Sequence, residues 1–114
     1  MSEWQAEVVA RVVEALPEGT AATYGDVAAE LGMGARQVGR IMSTYGGGLP
    51  WWRVTRSDGR LPAHLLPEAR QSWLAEGIPI RADGSGIRLA ECRADPALLA
   101  SLAEAALINT PRRQ

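Results

Sequence analysis

Residues able to do covalent chemistry are scarce in this chain. Its 114 residues include one cysteine, Cys92, and one histidine, His64. A lone cysteine excludes an internal disulfide and any multi-cysteine zinc site. With a single histidine, no Ser/His or Cys/His pair is supported either, and no metal or cofactor is expected. The conspicuous stretch is Leu49-Pro50-Trp51-Trp52-Arg53-Val54, reached through the loop Gly46-Gly47-Gly48. The chain has four tryptophans and no phenylalanine, yet two of them stand side by side here. A core strand, a pocket floor, or a reactive site that has lost its reactive residue would each account for that. Nucleophilic transfer needs a thiolate activated by a neighbouring base, and two indoles supply neither. Cys92 falls on the far arm of an expected hairpin, where it reads as a partly buried structural thiol.

What remains is recognition, and the charge pattern says of what. The net charge is −1, which taken whole argues weakly against nucleic acid. The distribution argues the other way. All 12 basic residues are arginines. Arg36, Arg40, Arg53, Arg56 and Arg60 lie between Leu31 and His64, against one acid, Asp58. Glu3, Glu7, Glu14, Glu18, Asp26 and Glu30 crowd the N-terminal segment instead. A small domain segregated in this way can present a basic face despite an acidic total. Ordinary solvated arginines would give the same composition.

The elements that must position these residues follow from periodicity. Trp4, Val8, Val9, Val12, Val13 and Leu16 recur at helical spacing over Glu3 to Leu16, ended by Pro17-Glu18-Gly19. A linker, Thr20 to Ala22, follows. Thr23 and Asp26 form the ends of a capping box opening a second helix, with Val27, Ala28 and Leu31 inward. Gly32-Met33-Gly34 is a tight turn. A third helix, Ala35 to Met42, buries Val38, Ile41 and Met42 and leaves Arg36 and Arg40, four apart, on one exposed face. Two short helices across a glycine turn read as helix-turn-helix.

Trp52 to Thr55 reads as a short strand, then a turn over Arg56 to Arg60, then loop from Pro62 to Pro67. Glu68 to Glu76 reads as a helix with Trp73 and Leu74 inward, stopped by Gly77. Gly77 to Glu91 reads as a hairpin turning at Asp83 to Gly86, hence a wing. A last helix, Pro96 to about Leu107, packs Leu98, Leu99, Leu102 and Ala105, and Asn109 to Gln114 is expected to fray. The expected class is therefore mostly α with a small β component, a winged-helix-like domain. It is one domain over 1–114, with a core at 3–77 and a C-terminal hairpin and helix at 78–108. No apolar run is long enough to span a membrane, and the acidic start does not read as a signal peptide. A cytoplasmic location is expected, on the nucleoid if the source is bacterial.

Three motifs in order, Thr23 to Ala28, Gly34 to Met42, and Pro50 to Val54, resemble the DNA-binding domain of the O6-alkylguanine DNA alkyltransferases. Leu74 to Gly77 adds to the match. The family's active site is Pro-Cys-His-Arg-Val. Here Pro50, Arg53 and Val54 match it, Trp51 stands at the cysteine position and Trp52 at the histidine position. Tryptophan for the cysteine marks the alkyltransferase-like proteins, which bind alkylated DNA without repairing it.

The resemblance implies roles residue by residue. Arg36 would fill the hole left by an extruded base, though a phosphate contact would also suit it. Tyr24 would turn the target phosphate, or simply pack under the helix pair. Ala35, Gly39 and Arg40 would lie against the minor groove, the two small residues allowing close approach. Tyr24, Pro50, Trp51, Val54, Arg60 and His64 would surround the lesion, with backbone groups of Trp51 and Val54 bonding guanine. Trp52 is expected to be structural, and its indole N–H could donate to Glu76. Arg53 reads as structural more than base-reading. The implied partners are double-stranded DNA containing O6-alkylguanine and nucleotide-excision-repair proteins, the protein itself being a monomer. A winged-helix transcription regulator without lesion specificity is the alternative, and an enzyme acting through Cys92 a distant third.

Overall fold

In a computed structural model describing residues 2–112, five helices and one very short sheet carry the chain. The helices are α1 (Glu3–Ala15), α2 (Tyr24–Leu31), α3 (Ala35–Tyr45), α4 (Leu66–Glu76) and α5 (Pro96–Asn109). Strands β1 (Ala22–Thr23) and β2 (Val54–Thr55) pair in parallel, Ala22 opposite Val54 and Thr23 opposite Thr55. Both capping predictions at α2 hold. The Thr23 hydroxyl accepts from the Asp26 N–H, and the Asp26 carboxylate accepts from the Thr23 N–H. A matching box at Ser2 and Gln5 starts α1. Gly32, at φ +68°, ends α2 in the left-handed conformation that glycine adopts without penalty.

Apolar side chains form two clusters. The first joins α1, α2, α3 and α5 through Val8, Val9, Val12, Val27, Val38, Ile41, Leu99 and Ala103. The second gathers Leu61, Leu66, Ala69, Trp73, Ile78, Ile87 and Cys92 around the α4 side. Trp51 packs against both. The aromatic pair therefore sits at the seam.

Ala22, the last residue of the expected linker, and the cap residue Thr23 are strand partners of Val54 and Thr55, and this parallel pairing builds the site. β1 leads straight into Tyr24, and β2 follows straight after Trp51-Trp52-Arg53. Two paired residues on each strand thus bring the start of α2 beside the tryptophans. Segment 92–94 adds on at Ala21, which donates to the Cys92 carbonyl at 2.9 Å and accepts from the Ala94 N–H at 2.8 Å. Beside it Arg93 makes a two-point ion pair with Asp26, at 2.6 and 3.0 Å.

Several expectations are corrected. The strand expected over Trp52 to Thr55 shortens to β2, and Trp51 to Arg53 is a 3-10 turn; the Arg53 N–H donates to the Pro50 carbonyl and the Val54 N–H to the Trp51 carbonyl. The wing contracts to one antiparallel bridge, Ile80 to Ile87. Its second arm divides its bonds between two neighbours: Ile87 N–H goes to Gly59, Arg88 N–H to Pro79. Gly86 permits the crowding, since a Cβ there would lie 2.2 Å from the Gly59 carbonyl oxygen. Helix α4 starts at Leu66, two residues early, with Pro67 in its first turn. Its buried face is Leu66, Ala69 and Trp73, so Leu74 turns outward at 73% exposure. Helix α5 buries Leu99, Ala103 and Ala106, leaving Ala105 outside. The tail does not fray at once: Thr110 is buried, its carbonyl accepts from the Trp4 indole at 2.6 Å, and Arg112 stacks over that ring. The rest of the expected frayed end, Arg113 and Gln114, lies outside the described residues.

Candidate nucleic-acid interface

The 3-10 turn fans Trp51 and Trp52 apart, edge to face, with ring planes 78° from each other and centroids 5.8 Å apart. They meet different surroundings. Trp52 turns to Glu76 at the end of α4 and donates its indole N–H to Oε2 at 2.6 Å. The same carboxylate accepts from Arg53 Nε at 2.9 Å and Nη2 at 2.8 Å, and from the Gly19 N–H at 3.0 Å. Arg53 Nη1 reaches the Leu16 carbonyl at 2.9 Å, and the Trp73 indole N–H bonds the Trp52 carbonyl at 2.7 Å. The ion pair is nearly closed to solvent, its side chains 10% and 8% exposed. Burial alone would raise the Glu76 pKa, but hydrogen bonds from Arg53, Gly19 and Trp52 outweigh it and hold the carboxyl below its usual range. One knot therefore ties the end of α1, the tryptophan turn and the end of α4. The indole has taken over the expected link to Glu76, and Arg53 is structural.

Trp51 turns to a cavity of about 420 Å³. Met42, Leu61, Pro62 and Leu65 give it apolar walls; Tyr24, Gly39, Gly46 and Gly47 border it; Arg56, His64 and Glu68 are its charged or titratable members. Of the residues expected around a lesion, Tyr24, Trp51 and His64 are brought together here. Pro50, Val54 and Arg60 are not in its wall. Val54 is fully buried in the first cluster and its N–H is already bonded to Trp51. Arg60 is drawn away by Asp58 and the Ser85 hydroxyl. Arg56 takes the place expected of Arg60. Neither it nor Glu68 was singled out from sequence, because an exposed charge in a loop or first helical turn looks like any solvated one. The only signal was Arg56's membership of the basic cluster.

Tyr24 opens α2 with its ring packed on the first cluster. Burial raises its hydroxyl pKa, the Arg56 charge offsetting part of this, so the group stays a protonated donor. Gly39 faces the same ring across α3. A Cβ there would meet Tyr24 Cδ2 at 3.9 Å, an ordinary contact. Nothing within the protein demands glycine at 39. Ala35, Arg36 and Arg40 are exposed on α3, whose helical start has no acidic residue in its first turn.

Partner accounting separates the arginines. Arg11, Arg53, Arg60, Arg81, Arg88 and Arg93 pair with carboxylates, Arg70 bonds the Gly84 carbonyl, and Arg112 stacks on Trp4. Among the described residues, Arg36, Arg40 and Arg56 have no side-chain partner. Two lie on α3 and the third in the wall of the cavity α3 borders. Cys92 is elsewhere, in the second cluster, with its thiol pKa raised by burial and by the charge of Glu91.

Known proteins resemble this chain in sequence and in fold. The family model for the 6-O-methylguanine DNA methyltransferase DNA-binding domain matches residues 3–77. A DNA base-flipping protein of Escherichia coli K12 is 42% identical over 80 residues, covering 65% of this chain and 62% of that protein. A DNA base-flipping protein of Vibrio parahaemolyticus is 36% identical over 75 residues, covering 60% and 75%. The chain thus spans less than two thirds of the length of the first of these. Among solved structures, S. pombe Atl1 in complex with damaged DNA containing O6-carboxymethylguanine superimposes with a TM-score of 0.70 at 29% identity, over 84% of this chain and 98% of that one. The chain belongs to the family of the 6-O-methylguanine DNA methyltransferase DNA-binding domain, as an alkyltransferase-like member.

Proposed function

We propose that this protein recognises O6-alkylguanine in duplex DNA by flipping the nucleotide into the cavity beside Trp51, and leaves the alkyl group in place. The observation that carries this reading is the position of Trp51. It stands where the family resemblance puts the alkyl-accepting cysteine, and it walls a cavity bordered by Tyr24 and Gly39. An apolar indole there offers contact area to an O6-alkyl group and no thiolate to remove it. Unstacking a base costs a few kcal/mol. Arg36, long, exposed and unpartnered, is suited to fill the vacated place in the stack. Tyr24, a protonated donor at the start of α2, is suited to hold the rotated phosphate. Ala35 and Gly39 keep the α3 backbone free to approach, and Arg40 supplies a further phosphate contact. His64 lies at the cavity wall, where it can bond the flipped base.

The protein would act as a monomer. It would mark the site for nucleotide-excision repair, a step that rests on the family resemblance alone. Titration of matched duplexes with and without one O6-methylguanine, at near-physiological salt, tests the reading. The expected result is preferential binding of the methylated duplex, with the methyl group still on the DNA afterwards. Equal affinity for the two duplexes would falsify it, as would transfer of the methyl group to the protein.

A further inference from the structure

The cavity wall carries two unpaired charges of opposite sign. Arg56 follows β2, and Glu68 lies in the first turn of α4. Both are exposed and both line the cavity, yet they form no ion pair with each other. Neither side chain has a partner among the described residues. The Arg56 charge reaches Tyr24 and lowers its pKa against the effect of burial, which puts the cation on the α2 side of the cavity. Glu68 belongs to α4, whose buried residues Leu66, Ala69 and Trp73 lie in the second cluster. An acid in the first turn of a helix is favoured by the helix dipole, and that alone would explain Glu68 on a bare surface. It does not account for a carboxylate and a guanidinium standing in the wall of one cavity, neither with a side-chain partner among the described residues.

We propose that Arg56 and Glu68 read the charge of the O6 substituent, so that the site favours neutral, dipolar adducts over anionic or cationic ones. This rests on the lesion-binding reading above. An anionic substituent would gain from Arg56 and lose to Glu68; a cationic one would do the reverse. A neutral hydroxyalkyl group can donate to the carboxylate and accept from the guanidinium, with no net charge to be opposed by either.

Binding of duplexes carrying O6-methyl-, O6-(2-hydroxyethyl)-, O6-carboxymethyl- and O6-(2-aminoethyl)guanine tests this, for the wild type, Glu68→Gln and Arg56→Gln. The readout is the ratio of each charged adduct's Kd to that of the hydroxyethyl adduct, in which any general loss of phosphate attraction cancels. Glu68→Gln is expected to move the carboxymethyl ratio roughly 3–10-fold toward tighter binding and the aminoethyl ratio the opposite way, as suits a charge contact partly open to water. Arg56→Gln is expected to move both ratios in the reverse sense. Among the described residues neither side chain makes a hydrogen bond or an ion pair, so thermal unfolding should change little and the ratios refer to folded protein. Ratios unmoved in both variants, with the preference for alkylated over unmodified DNA intact, would overturn this inference alone. Loss of that preference in the wild type would overturn the lesion-binding reading itself.

Discussion

Trp51 and Trp52 are neighbours in the chain and opposites in setting. Behind Trp52 every polar atom is engaged: Glu76 accepts from an indole, a guanidinium and a backbone N–H, and Arg53 spends its remaining reach on Leu16. In front of Trp51 almost nothing is engaged: among the described residues Arg36, Arg40 and Arg56 have no side-chain partner, Gly39 is unforced, and the cavity is open. Residue type does not separate the two regions, since tryptophan and arginine occur in both. Partners do. The region behind Trp52 uses its polar groups for folding, and in the proposed reading the region in front keeps its own for a ligand. Substitutions should therefore divide into those that unfold the protein and those that leave it folded but unable to recognise DNA.

The largest effect is expected at the knot. Glu76→Ala leaves Arg53 buried without its counter-charge, which should cost about 3–5 kcal/mol in denaturant unfolding. The smaller change Trp52→Phe keeps a ring but removes one donor to the carboxylate and should cost about 1–3 kcal/mol. A fully stable Glu76→Ala variant would erase the contrast between the two regions.

Across the seam the expectation reverses. Arg36→Ala should leave stability within about 0.5 kcal/mol of wild type, as for an uncontacted surface residue. It should nevertheless weaken binding to the alkylated duplex by about tenfold or more, out of the few kcal/mol that base extrusion requires. Gly39→Ala sharpens the contrast further. Alanine inside a helix should stabilise the fold by up to about 1 kcal/mol while crowding the approach to DNA. A gain in melting temperature with a loss of affinity would be the signature of a glycine kept for its ligand. Arg40→Ala should have the mildest effect, weakening damaged and undamaged duplexes alike and reducing the salt dependence of binding by about one ion.

Acid should distinguish the regions as well. The Glu76 carboxyl lies below its usual range in the folded protein, so the folded state holds it ionised where the unfolded chain would begin to protonate it. Its stabilisation is complete above the ordinary carboxylate value of about 4.3 and disappears as pH falls through the lowered folded one. Asp26, lowered likewise by Arg93 and Thr23 against the opposing effect of its burial, acts in the same sense. Stability measured from pH 7 downward should be level at first and fall in the acid range, less steeply in a Glu76→Gln variant.

Local features were legible in the sequence where their causes are local. Thr23 and Asp26 announced the start of α2 because a capping box needs only four residues. The valines of α1 and the buried face of α3 followed from helical period. Contacts distant in sequence were not legible. Nothing in Ala22-Thr23 indicates a parallel partner at Val54-Thr55, and nothing in Arg93 indicates Asp26, 67 positions away. Leu74 misled because α4 is narrow in its apolar face: Leu66, Ala69 and Trp73 fill it, and the next leucine falls outside. The site was half legible. Tyr24, Trp51 and His64 came through the family resemblance, whereas Arg56 and Glu68 look like solvated charges until the chain folds around them.

The central claim is that the unengaged face extrudes a base into the cavity at Trp51. Fluorescence of a 2-aminopurine placed next to O6-methylguanine reports that event directly, because unstacking relieves its quenching. Emission should rise and saturate with binding, and rise less for Arg36→Ala at equal occupancy. Saturable binding with no change in emission would contradict it, leaving a protein that holds alkylated DNA without opening the stack.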